Sequence, residues 1–224
     1  MKVLDLFSGT RSIAKAFHER GWDTYTIELD RSHPEIDWYA DIMNVTAADI
    51  LERFGRPDVI WASPPCTSYS IAAISHHRIK QPDGNLAPKS DFAKLSDELI
   101  KHTLELIKEL DPKYYFIENP RGGLRKMNFM QDIPRFTVTY RQYGDTRMKP
   151  TDIWTNHPDP KFRPMCKNGD TCHERAPRSA TLRKLKQQGI EIEVGGTQYG
   201  LTNAKDRSVI PHQLCMHIAE ISEE

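Results

Sequence analysis

A cysteine at the end of an apolar segment is the residue of this chain whose position most clearly indicates chemistry. The segment DVIWASPPCTSYS runs from Asp58 to Ser70 and places Cys66 directly after two prolines. Open α/β sheets bind ligands at the carboxyl ends of their strands, and prolines fix the backbone that carries the thiol. A thiolate held there is a nucleophile, whereas most free cysteines are small buried side chains. The other motifs decide between these two interpretations.

A carboxylic acid follows a second apolar segment. KYYFIENP has the pattern of a buried strand and ends on Glu118, Asn119 and Pro120. A carboxyl group that emerges from such a strand is partly desolvated, so its pKa rises and it becomes an acid near neutral pH. A structural acid bonded to a loop is the alternative. The two segments together predict a thiol and an acid at one edge of a sheet.

Three further turns predict a site for an adenosine-containing ligand. In DLFSGT, Gly9 allows the backbone to approach a ligand closely. In TIELD, Glu28 stands where a carboxylate binds ribose hydroxyls, and in ADIMNV the carboxylate of Asp41 is placed to accept from an adenine amino group. Each signal is weak alone, since glycines form turns and acids cap helices.

Alternating strand and helix patterns supply the framework for these turns. KVLDLF, DTYTIELD, PDVIWAS and KYYFIENP read as strands, and IAKAFHERG, DILERFG and KLSDELIKHTLELIKEL read as helices between them. Such alternation is typical of right-handed βαβ units. RFTVTYRQYG and DIWTN predict two antiparallel strands at the far edge, and RSVIPHQLCMHIAEI predicts a returning helix. The expected fold is a Rossmann-like, doubly wound α/β sheet that is mostly parallel.

The segment from 156 to 204 differs in composition from the rest of the chain. It is rich in proline, glycine, cysteine and basic residues and lacks a regular apolar period. We therefore expect a catalytic and cofactor-binding domain formed by 1–155 with 205–224, and a small irregular insertion or recognition segment at 156–204.

The insert also contains residue types that bind metals. Thiolates and imidazoles gathered in a short irregular segment bind zinc and supply folding energy that a loop without a core lacks. Two free cysteines with ordinary surface histidines are the alternative, because the Cys-x5-Cys-His spacing is not the usual Cys-x2-Cys. The residues of this hypothetical structural zinc site are His157, Cys166, Cys172 and His173.

Composition sets broad limits on function. The chain has 224 residues, and its 31 basic and 31 acidic residues give a formal net charge of zero, which neither supports nor excludes nucleic-acid binding. No apolar run approaches the ~20 residues of a membrane helix, so no membrane partner is expected. The amino terminus begins directly with a strand pattern, which predicts no signal peptide and a cytoplasmic location. Disulfides are rare in proteins that are not exported, so the four cysteines do not indicate a disulfide framework here.

Taken in order, DLFSG, SPPCTSYS, ENP and RSVIPHQL resemble motifs of the cytosine-5 DNA methyltransferases. In that family the first motif is Asp-Leu-Phe-Ala-Gly, the fourth contains Pro-Cys, the sixth is Glu-Asn-Val and the tenth contains Pro-x-x-Leu. The resemblance covers Val3 to Gly144 and Arg207 to Ile218, and the chain looks like the compact form found in bacteriophage genomes. It implies the class I fold of S-adenosylmethionine-dependent methyltransferases, in a bacterial or phage-infected cell.

The resemblance implies transfer of a methyl group from S-adenosylmethionine to C5 of cytosine, with S-adenosylhomocysteine as the other product. Cys66 would add to C6 of the base, and Glu118 would hold or protonate N3. Cationic groups near the thiol are expected to lower its pKa. The partner would be double-stranded DNA with the target cytosine flipped out. Base methylation needs no dimer, so a monomer is expected.

Motif matching assigns further residues. The family's eighth motif, Gln-x-Arg-x-Arg, is replaced here by YGDTRMKPTDIW, so Arg147 and Lys149 are the catalytic candidates, with a solvated basic loop as the alternative. Ser70 and His76 are candidates for phosphate contacts, in a polar loop that could close over the base. The predicted substrate-binding residues are Pro65, Ser70, Asn119 and Pro120, and the predicted cofactor-binding residues are Phe7, Ser8, Gly9, Glu28, Leu29, Asp41, Ile42 and Pro64.

Several features depart from the family pattern. Arg11 and Ser12 replace the later glycines of the cofactor turn, and Arg207-Ser208 replaces Gly-Asn in the tenth motif. The recognition segment is short, which predicts a short or loose target sequence. Two other functions stay open: a tRNA cytosine-5 methyltransferase with the same thiol chemistry, and a non-catalytic nucleic-acid-binding relative. The intact Cys66 and Glu118 argue against the second.

Overall fold

A computed structural model describes residues 1–167, 170–172, 187–189 and 204–224. The strands are β1 (Lys2–Leu6), β2 (Asp23–Glu28), β3 (Trp38–Tyr39), β4 (Val59–Ala62), β5 (Arg78–Lys80), β6 (Leu86–Pro88), β7 (Tyr114–Pro120), β8 (Arg135–Thr139) and β9 (Pro150–Thr155). The helices are α1 (Ser12–Glu19), α2 (Ala47–Arg53), α3 (Ile74–His77), α4 (Asp91–Leu110), α5 (Ala204–Ser208) and α6 (His212–Ser222).

Seven of these strands form one sheet in the order β3-β2-β1-β4-β7-β9-β8. The first five strands in this order are parallel, and β9 is antiparallel to both β7 and β8. The predicted doubly wound, mostly parallel α/β fold is therefore confirmed. In the sheet's centre, Ala62 pairs with Leu6 on one side and with Ile117 on the other. The residues that follow β1 and β4 and the end of β7 thus meet at one edge.

Each face of the sheet has its own apolar core, because the central strands are buried on both sides. On one face, Ile60 packs in a cluster with residues of α2 and α4. On the other, Trp61 packs in a cluster with residues of α1 and α6. Strand β4 is therefore apolar throughout, and the three layers hold its carboxyl end rigidly in place.

Local signals set the ends of the longest helix. The Ser90 hydroxyl accepts from the Ala93 amide at the start of α4, which satisfies one of the free donors of a helix N-terminus. The helix stops at Asp111, whose φ of +46° lies in the left-handed region, immediately before Pro112. A proline there cannot continue the helix.

Some elements differ from the prediction. The strand expected over RFTVTYRQYG ends at Thr139 and gives way to a 3-10 turn, Tyr140–Tyr143. The single carboxyl-terminal helix is two helices, because Pro211 interrupts the chain between α5 and α6. The antiparallel hairpin of β5 and β6 was expected to be a polar loop.

The start of the predicted insert is part of the main domain. The side-chain oxygen of Asn156 accepts from the Tyr115 amide on β7, and Phe162 packs against the ring of Phe136 on β8. Residues as far as Cys166, whose amide donates to the Thr139 hydroxyl, are therefore anchored to the sheet. Much of the remaining insert lies outside the described residues. Within the described ranges, no helix has the length and apolar character needed to cross a membrane.

The central strand gives a test of this packing. We expect Ile60→Ala to lower the free energy of unfolding by about 2–5 kcal/mol, since Ile60 is fully buried between the sheet and its helices. Ile79→Ala is the matched control, because Ile79 is exposed, and its effect should stay within about 0.5 kcal/mol. Urea unfolding followed by circular dichroism measures both. Equal effects would contradict the assigned burial.

Candidate active site

A cavity of about 590 Å³ opens at the carboxyl edge of the parallel strands. Segments that are distant in sequence meet there: the turn after β1, the turn after β4, the end of β7, the start of β9 and helix α5. From the predicted site residues, the lining includes Phe7, Ser8, Gly9, Pro64, Pro65, Cys66, Ser70, Glu118, Pro120 and Lys149.

The turn after β4 presents Cys66. The carbonyl of Cys66 accepts from the Tyr69 amide at 3.0 Å, which closes a 3-10 turn over Thr67–Tyr69. The side-chain amide of Asn119 donates to the Pro64 carbonyl at 3.0 Å. The nucleophile turn is thereby tied to β7, the strand that carries the acid.

The surroundings of Cys66 raise the pKa of its thiol. Burial raises the pKa of the Cys66 thiol, and the nearby Glu118 raises it further. Lys149 and Arg207 act in the opposite direction but do not compensate. The cationic neighbours thus lower this pKa as expected, but the net shift is upward because desolvation outweighs them.

Glu118 is buried at the end of β7. Burial raises the pKa of its carboxyl group, although Lys149 and the hydroxyls of Tyr140 and Ser63 oppose the shift. The Tyr140 hydroxyl donates to Glu118 Oε1 at 3.1 Å. A carboxyl group in this environment can hold a proton and deliver it to a base.

Lys149 and Arg147 occupy different environments. Lys149 lines the cavity, lies 4.3 Å from the centre of the Tyr140 ring, and donates from Nζ to the Arg207 carbonyl at 2.8 Å. Burial lowers the pKa of its ammonium group. Arg147 is not among the lining residues and forms a bidentate pair with Asp145. Of these two candidates Lys149 lies in the cavity lining, which also contains the basic residue Arg207.

The turn after β1 forms the other end of the cavity. Its backbone bends through Gly9, whose φ is +46°, and the Gly9 amide donates to Glu28 Oε2 at 2.9 Å. The other carboxylate oxygen of Glu28 accepts from the Leu29 and Asp30 amides. Beneath the turn, burial raises the pKa of Asp5 to about 7.

Four predicted cofactor residues are not among the lining residues, namely Glu28, Leu29, Asp41 and Ile42. The Asp41 carboxylate accepts from the Met43 amide at 3.0 Å and caps a 3-10 turn over Ile42–Asn44. Ile42 is buried in the core, whereas Leu29 is 65% exposed. The geometry gives Asp41 a capping role and leaves its adenine contact a prediction.

Some of the predicted substrate-binding residues line the cavity and others do not. Ser70, Pro65 and Pro120 line the cavity, whereas His76 lies in α3 and is not among the lining residues. Asn119 is not among them either, and its side chain holds the Pro64 carbonyl instead.

The hypothetical zinc ligands are only partly together. Sγ of Cys166 lies 3.4 Å from Sγ of Cys172. His157 is used elsewhere, because its Nε2 bonds to the Ile221 carbonyl and its Nδ1 accepts from the Asp159 amide. This removes His157 from the ligand set, and His173 lies outside the described residues. Among the residues that the structure does describe, no group of three or more metal ligands is found, so zinc stays a prediction for the two cysteines.

Sequence reasoning missed several residues of the site. Tyr140 was placed in a strand, yet its hydroxyl contacts the acid. Gly122 was not singled out, although a Cβ on it would lie 2.5 Å from the Tyr69 carbonyl oxygen. The Gly-Gly pair after ENPR was the available signal, since adjacent glycines indicate close backbone approach.

Comparisons with known proteins agree with this geometry. Residues 1–144 match the family model "C-5 cytosine-specific DNA methylase". The chain belongs to this family. It is 30% identical to the "Probable DNA (cytosine-5)-methyltransferase" of Frog virus 3 (isolate Goorha), over 99% of this chain and 100% of that protein.

Two further matches extend the comparison. The chain is 29% identical to "Type II methyltransferase M.FnuDI" of Fusobacterium nucleatum, over 57% of this chain and 35% of the relative. The S. pombe Dnmt2 methyltransferase shares the fold, with a TM-score of 0.53 and 15% identity over 95% of this chain and 82% of its own. The protein is thus a methyltransferase of the cytosine-5 DNA class, and its family implies S-adenosylmethionine.

The charges around Cys66 predict how fast its thiol reacts in the free protein. The Glu118 carboxylate disfavours the thiolate, so Glu118→Gln should lower the pKa of Cys66 and increase its alkylation rate severalfold at a pH below that pKa. Lys149→Met removes a cation and should slow the reaction. Iodoacetamide labelling followed by peptide mass spectrometry, with the partly buried Cys172 as internal reference, measures both. Changes in the reverse directions would contradict the assignment.

The close approach of Gly122 to the nucleophile turn gives a second prediction. Gly122→Ala should displace the Tyr69 backbone and lower the methyltransferase rate by about 10²-fold, since a shift of ~1 Å at a reacting group costs that much. In Gly123→Ala the new Cβ would meet Ile74 Cδ1 at 2.8 Å before any backbone atom. A side-chain methyl can rotate away, so we expect a smaller loss of methyltransferase rate for Gly123→Ala than for Gly122→Ala. Equal rates for Gly122→Ala and the natural protein would contradict the prediction.

Proposed function

We propose that this chain methylates C5 of cytosine in double-stranded DNA through a covalent bond between Cys66 and C6 of the base. One observation carries the proposal: Cys66, Glu118 and Lys149 line a single cavity whose other end is the glycine turn after β1. Cytosine C5 is a poor nucleophile, and thiolate addition at C6 makes it reactive. The cavity holds the groups that this addition requires.

The residues at the glycine end fit S-adenosylmethionine. The positive φ of Gly9 turns the backbone at the cavity wall, and a Cβ there would still have no neighbour closer than 3.9 Å, so there is room beside the turn. Glu28 follows at the end of β2, where a carboxylate binds ribose hydroxyls. We assign Phe7, Ser8, Gly9 and Glu28 to this ligand, which supplies an electrophilic methyl group when bound.

The order of bond changes follows from the groups at the other end. The Cys66 thiol first loses its proton to solvent, and the thiolate then adds to C6 while the proton of Glu118 passes to N3, which gives a neutral enamine. C5 of the enamine then takes the methyl group. Loss of the C5 proton to a base and return of the N3 proton to Glu118 expel the thiolate and restore the aromatic ring. With water as that base, the expelled thiolate takes a proton from solvent, so one proton is released overall and both Cys66 and Glu118 return to their starting states.

Lys149 assists this sequence electrostatically. Its ammonium group is the neighbour that most strongly favours both the Cys66 thiolate and the Glu118 carboxylate. A buried cation near the base stabilises negative charge on the thiolate and on the polarised cytosine. We propose that Lys149 takes the position that an arginine of the eighth motif holds in the family.

The DNA contacts are proposed from topology. A cytosine inside a duplex cannot reach a cavity at the sheet edge, so it must be flipped out. Ser70, Pro65 and Pro120 line the cavity and are proposed to contact the base or its backbone. We assign target recognition to the part of the insert after Cys166, which predicts a short target sequence.

The experiment uses DNA that carries 5-fluorocytosine, together with S-adenosylmethionine. Fluorine cannot leave C5 as a proton does, so Cys66 should stay covalently attached to the base. We expect a denaturation-resistant protein–DNA band for the natural protein and none for Cys66→Ala. Cys215→Ala removes a thiol that is fully buried in the α1–α6 core and should keep the band.

The substrate class is decided in the same assay. A band with fluorinated tRNA but not with DNA would support the tRNA alternative. Glu118→Gln should slow trapping by about 10²–10⁴-fold, the usual contribution of a general acid. Binding of S-adenosylmethionine without any adduct would refute the covalent mechanism.

A further inference from the structure

A buried arginine lies directly behind the nucleophile turn. The side chain of Arg78, the first residue of β5, is fully shielded from solvent. Its guanidinium donates to the Ser68 carbonyl at 2.9 Å, to the Ser68 hydroxyl at 3.1 Å and to the Leu86 carbonyl at 3.2 Å. It also pairs with both carboxylate oxygens of Asp97 on α4, at 2.7 and 3.2 Å.

Tyr69 completes the cluster. Its hydroxyl donates to Asp97 Oδ1 at 2.7 Å, and the Arg78 guanidinium lies 4.2 Å from the centre of its ring. Tyr69 is itself fully buried. We name this cluster the Arg78 clasp and define it by these three residues with Ser68. Each side-chain polar atom of Arg78, Asp97 and Tyr69 has a hydrogen-bond partner within the clasp or, for one guanidinium nitrogen, also on the neighbouring Leu86 and Met127.

Stability does not explain such a cluster. Removing two charges from water is costly, and a buried ion pair can often be replaced by apolar side chains without loss of stability. The partners of Arg78 suggest what the charges achieve. Ser68 and Tyr69 belong to the 3-10 turn that begins at Cys66, and the Tyr69 amide bonds to the Cys66 carbonyl at 3.0 Å.

The clasp also closes a loop. The chain leaves it at Tyr69, contributes Ser70, Ala72 and Ala73 to the cavity wall, and returns to it at Arg78. Both ends of this loop are thus pinned at one point, and the same point is bonded to α4. A movement of the loop tip towards a ligand would leave the base of the loop, and with it the thiol, in place.

We propose that the Arg78 clasp positions Cys66 for attack on the base, with Arg78 and Asp97 as positioning residues that never touch the substrate. The catalytic consequence rests on the proposed function. The planar guanidinium group is essential to this role, because it donates hydrogen bonds to Ser68, Leu86 and Asp97 in different directions at once. A lysine has a single charged nitrogen and cannot replace those contacts.

The test separates positioning from folding. Arg78→Met alone would leave the Asp97 carboxylate buried without its partner and unfold part of the protein, so the informative variant is Arg78→Met/Asp97→Leu, which removes both charges together. Arg20→Met is the matched control, because Arg20 makes a bidentate pair with Glu223 away from the cavity. Urea unfolding shows which variants are folded, and only folded variants are compared in the assays.

Methyl transfer to DNA then gives the main result. For the folded double variant we expect kcat to fall by about 10²-fold with KM for DNA changed by less than about threefold, because the cavity lining is intact. Arg78→Lys should show the same kcat loss, whereas Arg20→Met should match the natural protein. A folded double variant with unchanged kcat would overturn the proposal, as would a loss confined to KM.

Alkylation of Cys66 supplies a readout that does not depend on the proposed function. If the clasp fixes the turn, the double variant should alkylate Cys66 severalfold faster, because a turn that loses its anchor exposes the thiol. If the natural protein transfers no methyl group, that result refutes the proposed function. Faster alkylation of Cys66 in the double variant would still support the clasp. Equal alkylation rates in the folded double variant and the natural protein would refute the clasp.

Discussion

The parallel register of β1, β4 and β7 is the constraint on which the rest of the site depends. Because Leu6, Ala62 and Ile117 are aligned across these strands, the chain emerges from each at the same height. Cys66 and Glu118 are 52 residues apart in sequence, yet both line one cavity. A one-residue slip of β7 would turn Glu118 to the other face of the sheet. Strand pairing, rather than any local motif, therefore creates the juxtaposition.

The same burial that fixes the register sets the chemistry of the groups. Desolvation raises the pKa values of Cys66 and Glu118 and lowers the pKa of Lys149, so the cavity disfavours every charged form. A raised pKa favours the protonated form of Glu118, which suits the proposed protonation of N3. A protonated thiol is a poor nucleophile, so under the proposed mechanism Lys149 acts on the charge that develops once the base has entered.

Local patterns predicted the alternating strands and helices of the sheet and singled out Cys66 and Glu118 as candidates for the reacting groups. Strands flanking Cys66 and Glu118 have the unbroken apolar character of doubly buried strands, which a sequence displays directly. The sequence could not decide between Arg147 and Lys149, because the decision depends on the side-chain pairing of Arg147 with Asp145. The direction of the Cys66 pKa shift could not be predicted from the sequence either. It depends on how burial and nearby charges balance, and this balance requires three-dimensional distances.

Arg78 shows why polar residues in a core are hard to interpret from sequence. In HHRIKQPDG it has the composition of a solvated loop, and only the fold reveals it as a buried partner of Asp97 on α4. Arg125 repeats the arrangement, because it pairs with the buried Asp152 of β9, the residue opposite Asn119 on β7. In both cases an arginine fork binds a carboxylate beside a strand or turn that carries a reacting group. A bidentate pair adds geometric specificity to the packing around it, which is the physical basis on which we infer that such pairs position the turn and the strand.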